Sequence, residues 1–545
     1  MGPPPTVAFR VLRSCVYNQE DPPWSESPGA REEKGMTEQP QVLPENESNR
    51  KLVENVHPPH WRNPKPADCY NLVVIGAGTA GLVAAAGAAG LGAKVALVER
   101  YLMGGDCLNV GCVPSKGLIR AGRAWHDARQ AGRFGVLGAE GLRVDFGQAM
   151  ERMQRVRAGI SDHDSARRFR RELGVDVFFG EGRFTGPASV EVDGVPLRFS
   201  RAAVCTGARA AAPPVPGIEE AGYLTNETVF SLTDPPARLA VIGAGPIGCE
   251  LAQTFARLGS TVTLIEMTDR ILPREDPDAA RLLQGVFETE GVRLCLDARV
   301  VKAAGEGGGK RLTLERGGET EELLVDEILV GVGRAPNVEG LGLEPAGVEF
   351  DPKTGVRVNE RLQTTNPRIF AAGDICSAYK FTHTADAQAR ILIANALFFG
   401  RQKTSDLVIP WCTYTDPEVA HVGLQEHEAR ERGMEVTTLT VDLKEVDRAR
   451  LDGEAGGFAR VHLEKGSDKI LGATLVARHA GEMIGELALA VTSGLGLSAI
   501  GKTIHPYPTQ AEAIRKLADA YNRSRLTPFV SLLLELWLRW RRRCR

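Results

Sequence analysis

An apolar strand running into a glycine-rich turn occurs twice in this chain, and the second copy repeats the first at an offset of 167 residues. The first copy reads Val73-Val74-Ile75-Gly76-Ala77-Gly78-Thr79-Ala80-Gly81, the second Val241-Ile242-Gly243-Ala244-Gly245-Pro246-Ile247-Gly248. At the same offset Leu91-Gly92 falls on Leu258-Gly259, and Glu99 on Glu266. In each copy the pattern predicts a helix after the glycines and then a second strand (Lys94 to Val98, Thr261 to Ile265) that ends at the glutamate. These are the parts of a dinucleotide site. Gly76 and Gly243 make the tight turn. Gly78 and Gly245 let a pyrophosphate approach the backbone, and Gly81 and Gly248 let the helix pack on its strand. Amides at the helix N-terminus hold the phosphates, and Glu99 and Glu266 accept hydrogen bonds from a ribose diol. One such motif is a weak signal. Two with equally spaced acids predict an α/β fold with two Rossmann-like dinucleotide-binding domains.

Shortly after the first unit comes Gly104-Gly105-Asp106-Cys107-Leu108-Asn109-Val110-Gly111-Cys112-Val113-Pro114-Ser115-Lys116. Thiols at this spacing can close one small disulfide ring. Near a helix N-terminus the dipole favours the thiolate that does redox chemistry. Zinc ligation and inert burial are the alternatives for two nearby cysteines. The flanking glycines and the upstream nucleotide motif favour the redox reading. Two nucleotide sites beside one dithiol imply an electron relay, with FAD in the first unit and a nicotinamide in the second.

Ten cysteines in 545 residues are too few for a secreted disulfide scaffold, which suits a reducing compartment. A net charge of −3 gives no general affinity for nucleic acid, so no such partner is expected. No run reaches the roughly 20 apolar residues of a membrane span. The protein is therefore expected to be cytoplasmic.

The chain resembles the class I pyridine nucleotide-disulfide oxidoreductases, the family of dihydrolipoamide dehydrogenase, glutathione reductase and mercuric reductase. Further segments carry the resemblance: Cys205-Thr206-Gly207, where the chain leaves the FAD domain; Gly331-Val332-Gly333-Arg334-Ala335-Pro336-Asn337, where it returns; and Ala371-Ala372-Gly373-Asp374. The resemblance implies FAD contacts from Gly105, Lys116, Thr206, Gly207, Gly333, Gly373 and Asp374. It implies Cys107 as the interchange thiol and Cys112 as the thiol nearer the flavin. Lys116 would sit by the flavin, paired with Glu250; a surface ion pair is the alternative for these two. It also implies a domain order: the FAD domain with its redox disulfide (67–220), the NAD(P)H domain (221–335), the second part of the FAD domain (336–405) and an α+β dimerisation domain (406–525); ahead of these, a composition rich in Pro, Glu, Asn and Gln predicts a flexible N-terminal extension (1–66), and after them comes an amphipathic basic tail (526–545). A homodimer and a small-molecule electron acceptor follow as partners.

The pattern departs from the family in two places. Dihydrolipoamide dehydrogenase and glutathione reductase carry His-Pro-Thr-x-x-Glu near the C-terminus. Here Pro508, Thr509 and Glu512 align, Tyr507 takes the histidine position, and His505 falls two residues early. A phenol with pKa near 10 is a poorer base than an imidazole near 6.5. Mercuric reductase also has tyrosine here, so the mercuric reductase-like branch is the better match, with Tyr507 and Glu512 of one subunit expected to approach Cys107 of the other. Soft-metal delivery needs paired thiolates. The tail offers only Cys544, and no metal site is expected. Asp106 before the first cysteine either raises the thiol pKa or faces water.

Glu266 should bond the adenosine 2′-hydroxyl and repel a 2′-phosphate, so NADH is expected over NADPH. In the tail, Ser531, Glu535, Arg539 and Arg542 form a thin polar stripe beside a wide apolar one. That fits either a helix on an anionic membrane surface or one packed on the protein's own dimer. Three functions are open: electron transfer from NADH through flavin and the Cys107–Cys112 pair to an acceptor; a membrane-surface NADH dehydrogenase reducing a quinone directly from flavin; and a redox-responsive flavoprotein with little turnover.

Overall fold

In the computed structural model, which describes residues 40–542, strand Tyr70–Ile75 is buried at all but one position, as a parallel strand covered on both faces requires. It lies between Val95–Glu99 and Val195–Val204, with Val74 opposite Leu97 on one side and Ala203 on the other. Asp176–Phe179 extends the sheet beyond Val95–Glu99, and the antiparallel strands Ser189–Val192 and Gly182–Gly186 extend it beyond Val195–Val204. Strand Ile369–Ala371, from the far side of the second unit, pairs in parallel with Val195–Val204. The first sheet is thus completed by chain that has left and come back.

The second unit has the parallel order Arg293–Cys295, Thr261–Ile265, Arg238–Ile242, Glu327–Val330, flanked by a three-stranded antiparallel sheet that begins at Ala298–Glu306. Exit and return are stitched together. Ala208–Ala210 pairs with Arg334–Pro336, Thr206 Oγ1 donates to the Asn337 carbonyl at 2.9 Å, and Asn337 Nδ2 donates to the Thr206 carbonyl at 2.9 Å. A third, antiparallel sheet runs Pro410–Thr413, Glu418–Gly423, Ile470–Ala477, Phe458–Glu464, Val436–Asp442, with helices Ala480–Thr492 and Glu512–Ser524 contributing to its core.

The expectation of a flexible leader over residues 1–66 is corrected for residues 40–66; residues 1–39 lie outside the described residues. Helix Glu47–Val56 is capped by Asn46, whose side chain accepts from Asn49 N at 2.9 Å. Leu52 and Val56 are fully buried in the core that holds Leu72 and Leu97. Asn63 exchanges two 2.8 Å hydrogen bonds with the Phe179 backbone, which ties this segment to the edge of the first sheet. The polar composition hid a narrow buried stripe at helical spacing, the apolar Leu52 and Val56 with the hydrogen-bonded Asn49, and tertiary burial of that stripe decides the structure.

Candidate functional site

Both glycine turns have the geometry their sequences predict. Gly76 and Gly243 each sit at φ +97°, in the region that favours glycine. A side chain at Gly81 would start 1.8 Å from the Gly76 carbonyl oxygen, and one at Gly248 would start 1.9 Å from that of Gly243. Helices Thr79–Gly90 and Pro246–Arg257 therefore press against their own turns. Glu99 accepts from Ala77 N at 2.7 Å and Tyr101 N at 2.8 Å. Glu266 accepts from Ala244 N at 2.8 Å and Thr268 N at 3.1 Å. Each acid is thus held over its turn. Burial raises the Glu99 pKa.

The thiol segment crosses the first turn. Gly104 N donates to the Ala77 carbonyl at 2.8 Å. A Cβ on Gly105, which sits at φ +54°, would fall 2.7 Å from Gly78 Cα. The slot over Gly78 is open only because both positions are glycine, which fits a pyrophosphate held against bare backbone. Gly333, at φ +133°, has open space around it, and Gly207 lies at φ +68° beside the exit strand. Gly373 N is held by Gln388 Oε1 at 2.8 Å. Asp374 is half-buried with its pKa raised by burial, and Arg334 Nε lies 3.5 Å from its carboxylate.

Cys107 is carried by the short helix Gly105–Asn109, and Cys112 opens the long helix Cys112–Gln130, so the second thiol sits at a helix N-terminus. Asn109 Nδ2 donates to the carbonyls of Met103 and Gly105 at 3.0 and 2.9 Å and holds the loop. Both cysteines are free thiols here. Each shifts the other: Cys112 and burial push Cys107 up, and Cys107 lowers Cys112 against its own burial. Thr382 Oγ1 lies 3.4 Å from Cys112 Sγ and, with Lys116, also lowers it. The shifts run in opposite directions, up at Cys107 and down at Cys112.

Lys116, one helical turn beyond Cys112, donates to Glu250 Oε2 at 2.7 Å. Glu250 is buried, and its other oxygen accepts from Tyr414 N at 2.9 Å. Burial opposes the Lys116 charge, but Glu250 and Cys112 outweigh it and leave the pKa raised. The Glu250 side chain is 7% exposed and that of Lys116 36%, so the pair is partly buried. Lys116 also lies 4.7 Å from the centre of the Tyr414 ring.

Asp106 neither faces water freely nor acts on the thiols as an isolated charge, because its carboxylate pairs with Arg334. Tyr507 is 70% exposed, its hydroxyl donates to Asp447 at 3.1 Å, and the Tyr507–Pro508 bond is cis. Glu512 is buried, with Oε2 lacking a hydrogen-bond partner. Within one chain Tyr507 is not brought to the thiols. His505 turns back onto Glu486 at 2.9 Å. Thr382 and Tyr414 were missed from sequence, since neither belongs to a motif that sets it beside a thiol or a lysine.

Two dinucleotide turns, a thiol pair following the first and a Lys116–Glu250 pair joining the helices beyond them define a flavin-dependent disulfide reductase. Residues 70–389 match the family described as pyridine nucleotide-disulphide oxidoreductase, and residues 409–518 match its dimerisation domain. The chain belongs to that family, and it is an FAD-dependent oxidoreductase that uses a nicotinamide. It is 35% identical over 457 residues to the mercuric reductase of Lysinibacillus sphaericus, covering 84% of this chain and 83% of that protein. It is 36% identical to the dihydrolipoyl dehydrogenase of Thermus scotoductus, covering 83% of this chain and 98% of that one. The HOCl-induced flavoprotein disulfide reductase RclA from Escherichia coli superposes with a TM-score of 0.74 at 29% identity, covering 83% and 99% of the two chains. No helix among the described residues is long and apolar enough to cross a membrane.

Proposed function

We propose that this enzyme takes electrons from NADH and delivers them through the Cys107–Cys112 pair to a small acceptor that accepts attack by a thiol, a disulfide or a soft metal ion. The carrying observation is the pair of free thiols at Cys107 and Cys112 with the Lys116–Glu250 ion pair, 2.7 Å, one helical turn beyond Cys112. FAD, when bound, supplies two-electron transfer between a nicotinamide and a disulfide. Glu250 keeps Lys116 charged beside the thiols, which favours anionic sulfur at Cys112. Cys107 then holds the proton and, once deprotonated, is the sulfur that attacks. Preference for NADH rests on Glu266, held at the end of the second unit's strand. Arg270 is the first cation beyond it, and its guanidinium donates to the Pro273 carbonyl at 3.0 Å.

The working unit is a homodimer in which Tyr507 and Glu512 of one subunit approach Cys107 of the other. The exposed phenol and the unsatisfied buried Glu512 oxygen support this reading. Tyr507→Phe should slow acceptor reduction and leave NADH-to-flavin transfer nearly intact. An active monomer refutes the arrangement.

The experiment is an acceptor screen with NADH consumption as readout, run on the native enzyme and Cys107→Ala. Thiol-dependent reduction collapses in the variant. If turnover with a quinone or dye survives at the native rate and no thiol-dependent acceptor is found, electrons leave directly from the flavin instead. Failure of NADH to bleach the flavin favours a binding protein with little turnover.

A further inference from the structure

Helix Pro528–Arg541 follows the dimerisation domain and joins none of the hydrophobic cores. The C-terminal core takes residues no further along than Leu517, Ala518 and Tyr521. The helix forms on local signals: Thr527 Oγ1 accepts from Val530 N at 3.3 Å, Pro528 stands in the first turn, and Glu535 pairs with Arg539 at 2.7 Å. Its large apolar side chains lie bare, with Phe529 68%, Trp537 53% and Trp540 60% exposed. A surface this apolar needs an occupant.

We propose that this helix docks the enzyme on the surface of an anionic lipid bilayer, lying in the headgroup plane. Three observations choose this occupant. The helix has 14 residues, about 21 Å at 1.5 Å per residue, which is too short for a hydrocarbon core of about 30 Å. Its tryptophans stand beside the basic end, Trp537 and Trp540 with ring centres 5.0 Å apart, where amphipathic rings sit at headgroup depth. The segment from Leu526 onward carries five arginines against one glutamate, within a chain whose net charge is −3. Glu535 is already paired with Arg539, so a second copy of the helix brings no free carboxylate to meet the arginines. Anionic headgroups do meet them.

The test uses the full-length holoenzyme with vesicles of phosphatidylcholine containing about a third phosphatidylglycerol, and with phosphatidylcholine alone, read by co-sedimentation. Full-length enzyme should pellet with the anionic vesicles, and the bound fraction should fall at least about tenfold from low salt to half-molar salt as screening sets in. A chain ending at Thr527 should stay in the supernatant with unchanged dimer mass and unchanged NADH turnover. The full-length triple variant Arg539→Glu, Arg541→Glu, Arg542→Glu should also stay unbound. Equal binding to neutral vesicles, equal pelleting of the truncated chain, or no binding to anionic vesicles overturns the proposal. Loss of dimer mass on truncation also overturns it and assigns the apolar face to a second copy.

Discussion

The two dinucleotide units share one local design and differ in what covers it. Their first glycines have the same φ of +97°, and their third glycines press equally close to the turn, at 1.8 and 1.9 Å. Their acids grip the turn amide at 2.7 and 2.8 Å. Over the first turn, however, the Gly104–Gly105 backbone crosses within contact of Gly78, and Glu99 is buried. Over the second, a Cβ on Gly245 would meet nothing within 4 Å, and Glu266 is only half-buried. The same turn thus becomes an enclosed berth in one place and an open dock in the other. The difference lies in the chain that follows the acid, not in the fingerprint. It suits a flavin that stays bound and a nicotinamide that comes and goes.

The most severe way to break this contrast is to put a side chain into the enclosed slot. Gly105→Val adds a branched side chain at φ +54°, with its Cβ 2.7 Å from Gly78 Cα. The purified variant should lack flavin absorbance and lose essentially all turnover. Gly245→Val meets no chain and should keep FAD, while raising KM for NADH by about 5- to 150-fold, the span of a 1–3 kcal/mol steric cost. Full FAD content in Gly105→Val refutes the enclosure argument.

A milder comparison uses the acids. Glu99→Gln leaves one of two amides, the buried Ala77 N or the part-buried Tyr101 N, facing an NH₂ group, at a cost of about 1–3 kcal/mol. It should lower the apoprotein's melting temperature and weaken FAD retention. Glu266→Gln should leave FAD retention unchanged and lower the melting temperature less, because its amides are nearer solvent. It should cut kcat/KM for NADH about tenfold and narrow the gap to NADPH by removing the charge that repels a 2′-phosphate. A native preference for NADPH refutes the role given to Glu266.

What the sequence made legible is what covalent spacing controls. The glycine turns and their acids are set by short-range order, whereas the return of the chain through Arg334–Pro336 was legible only through the family resemblance, since it pairs with Ala208–Ala210. Asp106 was legible only as two alternatives because its partner, Arg334, lies 228 residues away and meets it only when the chain returns to the first domain. Thr382 is 270 residues from Cys112, and no local pattern joins them. Residues 47–56 were misread because polar residues outnumber the few apolar ones that carry the helix into the core. Tyr507 is a different case. One chain leaves it exposed, and only a second subunit can supply its proposed partner.

The smallest expected effect concerns the thiols, which follow the first acid and have no counterpart after the second. Cys112 is held down to about 6 from an ordinary value of 9.0, first by the Cys107 hydrogen bond, then by Thr382, then by the Lys116 charge, against its own burial. Cys107→Ala should therefore raise the Cys112 pKa most, Thr382→Val less and Lys116→Met least, read as thiolate absorbance of the reduced protein against pH. The sign for stability follows. A depressed acid stabilises the fold above its unfolded pKa, and that stabilisation is lost as pH falls through the folded value. Cys107 is raised, so it stays protonated across that window and does not cancel the trend. Reduced native protein should thus gain melting temperature over Cys112→Ser as pH rises from about 6 towards 9. Thr382→Val should give a smaller gain over a narrower range, because its thiolate forms later. If Thr382→Val titrates like the native protein, the threonine is a neighbour of the thiolate and not a support for it. What sets the first unit apart would then reside in the thiol segment and its lysine alone.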